Sequence, residues 1–311
     1  MKVTYRPYQH EDDFWAMRAL LREIYVLNGN RERAWAVARL EYARWHVCMN
    51  CAKVRLEDVA HLWEADGKLI AFGMPDGGPD EVHMNVHPAW KTRELEEEIL
   101  AVAEEKLSIP TDDGKRFWGA WAMEDDELRR QMLSEHGYKR EGWVETQHHR
   151  DLTLPILDVA LPAGYTIRSL GDGLELLERC YASGLGFHEG DIKIAVENRD
   201  DVTWYRNIQT APLYRRDLDL VAIAPDGSIA SFCTIWFDDV TRSAYFEPVA
   251  TVPAHQRKGL SRALLTEGLK RLQKMGALHA CVGGYEPGPN ALYESMMGHG
   301  SLEYQSWQKT W

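Results

Sequence analysis

The sequence contains no hydrophobic run that could cross a membrane, and it has no excess of basic residues. None of its apolar stretches reaches the roughly 18 residues that a transmembrane helix needs, and its first residues lack the apolar core of a signal peptide. The chain carries 36 Lys and Arg against 48 Asp and Glu, a net charge of −12. These features predict a cytoplasmic protein that binds neither nucleic acid nor membrane, and they favour a cationic or amine-bearing partner.

Cysteine is scarce, and the five cysteines are an odd number. In a chain predicted to be cytoplasmic, we expect reduced thiols rather than disulfides. Cys48 and Cys51, with His46 nearby, resemble half of a zinc site, but no second Cys or His pair follows at a suitable spacing. We therefore predict no metal site, and buried, inert thiols at the remaining cysteines, Cys180, Cys233 and Cys281.

The length of 311 residues and a hydrophobic content of 45% are those of a globular protein with two domains. The hydrophobic periodicity predicts a similar order of elements twice. In the first half, strands are predicted at 3–6, 60–64, 69–74, 81–86, 116–122 and 138–150, and helices at 11–26, 31–45, 92–107 and 125–135. In the second half, strands are predicted at 165–168, 218–224, 229–237, 244–251, 279–283 and 302–309, and helices at 173–183, 201–209, 260–274 and 289–297.

Between the halves, a segment with two prolines shows neither helical nor strand periodicity. It predicts a linker at 153–163, which separates a first domain at 1–152 from a second at 164–311.

The stretch 249–263 is the most informative part of the chain. A β-branched run, a proline, cationic residues and a glycine lead into an amphipathic helix, so the order predicts a strand, a tight turn and a helix N-terminus. A helix N-terminus offers unpaired N–H groups and a partial positive charge to a phosphate. Gly259 allows a close approach of the anion, and Arg257, Lys258 and Arg262 add positive charge. The stretch therefore predicts a phosphate-bearing ligand.

Two motifs in this half resemble those of the GNAT superfamily of acetyl-CoA-dependent N-acyltransferases. The turn Gln256-Arg257-Lys258-Gly259-Leu260-Ser261 is similar to the family signature Gln/Arg-x-x-Gly-x-Gly/Ala, with Ser261 as a departure. Residues 290–298, Asn-Ala-Leu-Tyr-Glu-Ser-Met-Met-Gly, are similar to the family's second motif, although His299 stands where an aromatic residue is usual. The resemblance covers the second half and, by element order, extends to the first, as in mycothiol-synthase-like two-domain members.

The resemblance implies a fold class and an activity. The fold is α/β (α+β): two tandem GNAT-like domains, each with a mixed, mostly antiparallel central sheet flanked by helices. The implied activity is transfer of an acetyl group from acetyl-CoA, the acyl-donor substrate, to a primary amine of a small molecule by direct attack. The sequence leaves open whether the protein forms a homodimer. The alternative is a non-catalytic acyl-CoA-binding regulatory or interaction module.

The resemblance also implies site residues. The pantetheine arm would lie beside Val249, Ala250 and Thr251, and the pyrophosphate on the turn from Gln256 to Arg262, which includes Leu260. Tyr293 matches the position of the general acid, although it could instead be a core aromatic. Asn290 could cap its helix or contact the coenzyme.

Glu247 is the candidate general base, because a carboxylate in an apolar strand is desolvated and its pKa rises. Glu247 could instead be a solvent-exposed carboxylate without a catalytic role. The base could then be His188 or a chain of waters. Pro248 predicts a break in the strand ladder, which a coenzyme arm would need. Acceptor recognition is expected from the segments 187–191 and 204–205, which offer aromatics and carboxylates.

The first half is predicted to be a degenerate copy. Aligning Pro88 with Pro253 puts Glu94 opposite Gly259 and Glu96 opposite Ser261, so carboxylates would repel a pyrophosphate there. The expected roles of this half are structural support or shaping of the acceptor cleft.

Overall fold

The computed structural model describes residues 2–76, 80–110, 114–298 and 301–311. The chain divides into two compact units: unit 1 is Met1–Gln147 with Ser301–Trp311, and unit 2 is His148–Gly300. None of the helices in the described ranges is long and apolar enough to cross a membrane.

Thirteen strands and ten α-helices are found in the described residues. The strands are β1 (Val3–Pro7), β2 (His61–Ala65), β3 (Lys68–Met74), β4 (Glu81–Val86), β5 (Ile109–Pro110), β6 (Arg116–Met123), β7 (Lys139–Asp151), β8 (Thr166–Ser169), β9 (Asp219–Ile223), β10 (Ile229–Asp238), β11 (Ser243–Thr251), β12 (His279–Gly284) and β13 (Leu302–Thr310). The helices are α1 (Glu11–Leu27), α2 (Val37–Tyr42), α3 (Leu56–Val59), α4 (Arg93–Leu107), α5 (Glu127–Glu135), α6 (Leu174–Phe187), α7 (Ile192–Arg199), α8 (Thr203–Gln209), α9 (Leu260–Met275) and α10 (Pro287–Met297).

Unit 1 is built on a mostly antiparallel sheet. Its strand order is β1-β2-β3-β4-β6-β13-β7, with β5 paired to β6, and only β4 and β6 run parallel among the pairs described. The apolar faces of α4 and α5 pack against this sheet through Leu95, Ile99 and Leu133. The 3.6-residue spacing of those positions is the pattern that predicted the helices.

The last strand of the chain belongs to unit 1. In β13, Tyr304 pairs with Met123 of β6 on one side and Glu145 of β7 on the other. The sequence places residues 302–311 in the second domain, whereas this antiparallel pairing on both sides groups them with the first. The boundary likewise falls within β7, ahead of the linker predicted at 153–163.

Unit 2 has a sheet of strand order β12-β11-β10-β9-β8, with the end of β7 beside β12. The strands β9, β10 and β11 pair antiparallel, and β11 and β12 pair parallel. Helix α9 covers one face and packs closely, because a Cβ at Gly268 would overlap Ile235 and approach Phe246 to 3.0 Å. Helix α6 covers the other face, where a Cβ at Gly186 would come within 3.0 Å of Ala250.

Two local predictions differ from the structure, and helix α7 was missed. The helix predicted at 31–45 begins only at residue 37 and continues as a π-helix over Ala43–Ala52. The extended pair predicted at 138–150 is the single strand β7. Helix α7 was not predicted, because Ala195 is its only buried residue and its sequence has little amphipathic pattern.

Candidate active site

The strands β11 and β12 pair over three residues and then separate. The parallel register joins Ser243 to His279, Ala244 to Ala280 and Tyr245 to Cys281. The described residues of β11 from 246 onward have no register partner on β12. An opening therefore lies between the two strands at the level of residues 247–251.

A bulge in β11 accompanies this opening. On the side of β10, the register shifts between Cys233 and Ile235, opposite Glu247 and Pro248. The peptide bond between Glu247 and Pro248 is cis. The backbone oxygen of Glu247 accepts a 2.6 Å hydrogen bond from Trp236 Nε1, which fixes the bulge. The break predicted at Pro248 is confirmed.

The turn after β11 leads into a helix N-terminus, and the residue just before the helix is a glycine. A 3₁₀ turn over Pro253–His255 follows the strand, and Arg257 and Gly259 take left-handed backbone conformations, with φ of +63° and +79°. Helix α9 begins at Leu260, and no side chain caps it. A Cβ at Gly259 would meet nothing within 4 Å, so the helix start is open on the side that a side chain at residue 259 would occupy.

The predicted coenzyme residues on β11 divide between the faces of the sheet. Val249 pairs with Cys233 and packs against the core under α9, whereas Ala250 lies under Gly186 of α6. Thr251 joins the strand to the helix, because its Oγ1 lies 2.6 Å from Ser261 Oγ. Ser261, which departs from the family signature, thus hydrogen-bonds Thr251.

The side chains of the turn have different roles. Gln256 Nε2 donates to the Thr251 carbonyl at 3.2 Å. Lys258 Nζ donates to Tyr165 Oη at 3.1 Å, and Arg262 donates to Ser295 Oγ at 2.7 Å. Leu260 is buried in the core.

The exposed Arg257 makes no side-chain hydrogen bond or ion pair with another described residue. Its guanidinium is therefore available to an anion at the helix start.

Tyr293 and Asn290 lie on α10, beside β12. A Cβ at Gly284 of β12 would overlap Asn290 Oδ1 and come within 3.1 Å of Tyr293 Cδ2, so this wall is in tight contact with both residues. Helix α10 begins at Pro287, so Asn290 is inside the helix and does not cap it. Its Oδ1 lies 3.0 Å from Nε2 of the buried His148.

The phenol of Tyr293 retains its proton at neutral pH. Its side chain is 6% exposed, and burial raises its pKa, with the negative charge of Glu247 acting in the same direction. Glu247 itself is half-buried. A proton donor and a carboxylate therefore lie near each other beside the opening in the sheet.

Three residues of the segments expected to recognise the acceptor differ in their surroundings. His188 is exposed at the end of α6, and Asp191 caps α7 by accepting from the N–H groups of Lys193 and Ile194. Tyr205 is fully buried and donates to Asp219 Oδ2 at 2.6 Å. Residue 299 lies outside the described residues.

A buried polar cluster around Asp219 was missed in the sequence. Asp219 accepts hydrogen bonds from the hydroxyls of Tyr205, Tyr214 and Thr234. Burial raises the pKa of Asp219, while the nearby Arg179 and the three hydroxyls oppose the rise. The signal was available, because Asp219 lies in an apolar strand just as Glu247 does.

Unit 1 has the same elements with a different helix start. Its strands β4 and β6 pair parallel at Glu81 and Val82 only, and a 3₁₀ turn over Pro88–Trp90 precedes α4. Thr92 caps α4, its Oγ1 accepting from the N–H of Leu95 at 3.3 Å. The side-chain oxygen therefore takes one of the N–H groups that an anion would use.

The alignment through Pro88 and Pro253 is wrong in its details. One residue separates the 3₁₀ turn from the helix cap in unit 1, but three separate them in unit 2. Thr92, rather than Glu94, therefore corresponds to Gly259. Glu96 does not face an anion site either, because it is buried in a two-bond ion pair with Arg129, at 2.6 and 2.7 Å.

Part of the second unit matches a known family. Residues 188–299, which contain both motifs, match the sequence profile of the Acetyltransferase (GNAT) family, so the resemblance of these motifs is confirmed. No curated protein sequence matches the chain.

Solved structures extend the likeness to the whole chain. A GCN5-related N-acetyltransferase from Sphaerobacter thermophilus aligns at 17% identity with a TM-score of 0.68, over 99% of this chain and 95% of its own. A tandem GNAT protein from the clavulanic acid biosynthesis pathway aligns at 14% identity and a TM-score of 0.68, over 99% and 98% of the two chains. The chain therefore has the tandem GNAT fold, which supports acyltransferase activity in general.

The tight contact at Gly284 generates a stability prediction. We expect Gly284→Ala to lower the free energy of unfolding by about 1–3 kcal/mol, because the added methyl group must displace Asn290 and Tyr293. Gly288→Ala on α10 is the matched control, since a Cβ there meets nothing within 4 Å and alanine favours a helix. Urea unfolding of both variants measures the difference, and equal stability would contradict the tight packing.

Proposed function

We propose that the protein is an acetyl-CoA-dependent N-acetyltransferase whose active site lies in unit 2 and whose acceptor is a primary amine of a small molecule. The observation that carries the proposal is the combination of an opening beside β11, an uncapped helix start at Gly259 and a protonated tyrosine next to a carboxylate. The GNAT profile supports an acyl-CoA donor. The tandem GNAT protein of similar fold, whose structure is one without AcCoA, supports the same donor.

The acyl donor would use two features of the chain. Its pantetheine amides would hydrogen-bond the backbone of Val249–Thr251 along the edge that β12 leaves unpaired, because buried peptide groups need partners. Its pyrophosphate would accept hydrogen bonds from the first N–H groups of α9, with Arg257 adding positive charge. Lys258 and Arg262 would hold the turn and α10 in position rather than contact the anion, given the bonds they already make.

The transfer needs one base and one acid. The base takes a proton from the acceptor's ammonium group, and the neutral amine then attacks the thioester carbonyl. As the tetrahedral intermediate collapses, the C–N bond is retained and the C–S bond breaks. Tyr293 gives its proton to the departing thiolate, which leaves as the free thiol. The nitrogen, positively charged in the intermediate, gives up its second proton, and that proton restores the phenol of Tyr293. The raised pKa of Tyr293 suits this role, since the phenol is protonated when the thiolate departs.

Glu247 is the favoured base because it lies half-buried on the bulge, and its charge acts on Tyr293. His188 is exposed on a helix end and is the weaker candidate. The net charge of −12 supports a cationic acceptor by attraction at a distance.

The first experiment separates an enzyme from a binding module. Calorimetric titration with acetyl-CoA, followed by assay of free-thiol release with a panel of primary amines, tests the proposal directly. Binding with turnover supports it, and binding without turnover would assign a regulatory or interaction module instead. No binding at millimolar acetyl-CoA would remove both.

Gly259→Glu should weaken acetyl-CoA binding by about 100-fold, because a carboxylate would fill the open space at the helix start and repel the pyrophosphate. Gly227→Glu is the matched control: it has a similar φ of +88° and a Cβ there also meets nothing within 4 Å. Both variants carry similar backbone strain, so only the first should lose affinity in calorimetry. Equal affinities would show that the anion binds elsewhere.

Tyr293→Phe should lower kcat by about 100-fold or more, since general acid catalysis contributes at least that much. The dissociation constant for acetyl-CoA should stay within about twofold, because only a hydroxyl is removed. Tyr181→Phe on α6 serves as the control and should keep full activity. An unchanged kcat in Tyr293→Phe would remove the assigned role.

Glu247→Gln should lower kcat/KM at pH 7 by about 100-fold, while His188→Gln should leave it unchanged. The deficit should shrink as pH rises towards about 10, where an alkylammonium acceptor loses its proton to water unaided. Measurement of kcat/KM against pH decides between the bases. The reverse pattern would assign His188, and no effect in either variant would point to a chain of waters.

A further inference from the structure

A histidine outside the matched family segment contacts the candidate acid. His148 lies near the end of β7 and is 3% exposed. Its Nε2 is 3.0 Å from Asn290 Oδ1, and its ring meets the ring of Tyr293 edge-on, with centroids 5.8 Å apart and planes at 64°. One buried side chain thus touches both residues of the second motif.

The hydrogen bond shows which nitrogen of the His148 ring carries a hydrogen. Asn290 Oδ1 can only accept, so His148 Nε2 carries the hydrogen and donates it. His148 Nδ1 is buried and makes no hydrogen bond with a described residue. Among the described residues, the hydrogen bond from Nε2–H to Asn290 is therefore the one that orients the imidazole.

The contact completes a clamp. On the side of β12, Gly284 leaves no room beyond Asn290 Oδ1 and Tyr293 Cδ2. On the side of β7, His148 holds the same two residues by a hydrogen bond and a ring contact. Neither Asn290 nor Tyr293 can change rotamer without losing one of these contacts.

We propose that His148 is a positioning residue for the acyl transfer: through Asn290 and the ring contact it fixes the phenol of Tyr293. This inference rests on the proposed function. It implies that the residues matched to the family profile do not make a complete site. The strand before the linker supplies the clamp, at a separation of 142 residues from Asn290.

Two variants separate the hydrogen bond from the ring. His148→Phe keeps an aromatic ring against Tyr293 but removes the donor, and leaves the buried Asn290 Oδ1 without it. His148→Gln loses the ring, but its amide nitrogen can replace Nε2 as donor. His279→Phe, at a half-buried histidine of β12, is the control for a histidine lost elsewhere in unit 2.

In the full-length chain, we expect His148→Phe to lower kcat about 10-fold, with the dissociation constant of acetyl-CoA within about twofold of wild type, since a misplaced acid slows chemistry more than binding. His148→Gln should recover most of the loss, and His279→Phe should match wild type. A wild-type kcat in His148→Phe would overturn the inference. So would equal losses of kcat and coenzyme affinity in both His148 variants, which indicate general loss of packing.

A second measurement does not depend on turnover. The side-chain ¹⁵N spectrum of the wild type should show a slowly exchanging histidine Nε2–H signal that is absent from His148→Gln. Asn290→Ala should speed the exchange of that proton with solvent, because the acceptor of its hydrogen bond is removed. A signal unaffected by Asn290→Ala overturns the inference even if the wild type is active. If the wild type binds acetyl-CoA but transfers nothing, the proposed function fails while this spectrum still decides whether Asn290 holds His148.

Discussion

The rest of unit 2 depends on the incomplete pairing of β11 with β12. Three register pairs join the strands, and beyond Tyr245 they separate. Backbone groups in a sheet are costly to leave without partners, so an opening of this kind persists only where it faces a ligand or water. The bulge at Glu247, fixed by Trp236, keeps β11 paired to β10 while its other edge stays free. The same strand then leads directly into the uncapped start of α9. One distortion therefore supplies both the opening and the strand that leads to the uncapped helix start, the two features on which the proposed coenzyme site depends.

Unit 1 shows that the opening alone does not make such a site. Its β4 and β6 also separate after two register pairs, but a buried aromatic group lies there: His83 stacks on Trp121 at 5.2 Å and contacts Tyr304 at 5.5 Å. At the following helix start, the hydroxyl of Thr92 takes the N–H that Gly259 leaves open in unit 2. At the helix start, the two units therefore differ in a capping side chain rather than in the order of the surrounding elements.

Local signals predicted most of the fold, and non-local contacts account for what was missed. Alternating strands, amphipathic helices, the turn at Gly259 and the break at Pro248 each depend on neighbouring residues, which a sequence displays directly. The clamp on Asn290 comes from His148, far away in the chain, and no local pattern marks such a pair. The alignment error at Thr92 has the same origin, because a two-residue difference in loop length is invisible until both helix starts are placed. The pairing of β13 within unit 1 is also non-local, and a domain order read along the chain assigns it to the wrong half.

Two carboxylates in unit 2, the buried Asp219 and the half-buried Glu247, have different surroundings. Asp219 and Glu247 both lie in apolar strands, and the sequence offers no basis for preferring one. Asp219 is enclosed by three hydroxyl donors within 3.2 Å, so its lone pairs are committed and its burial is compensated. Glu247 instead lies on a bulge at the edge of the opening, where its charge acts on the phenol of Tyr293. A carboxylate satisfied on all sides holds neighbouring elements together, whereas one beside an opening and a proton donor can exchange a proton with a ligand. The enclosure of Asp219 by hydroxyl donors is therefore the reason to prefer Glu247 over Asp219 in the proposed chemistry.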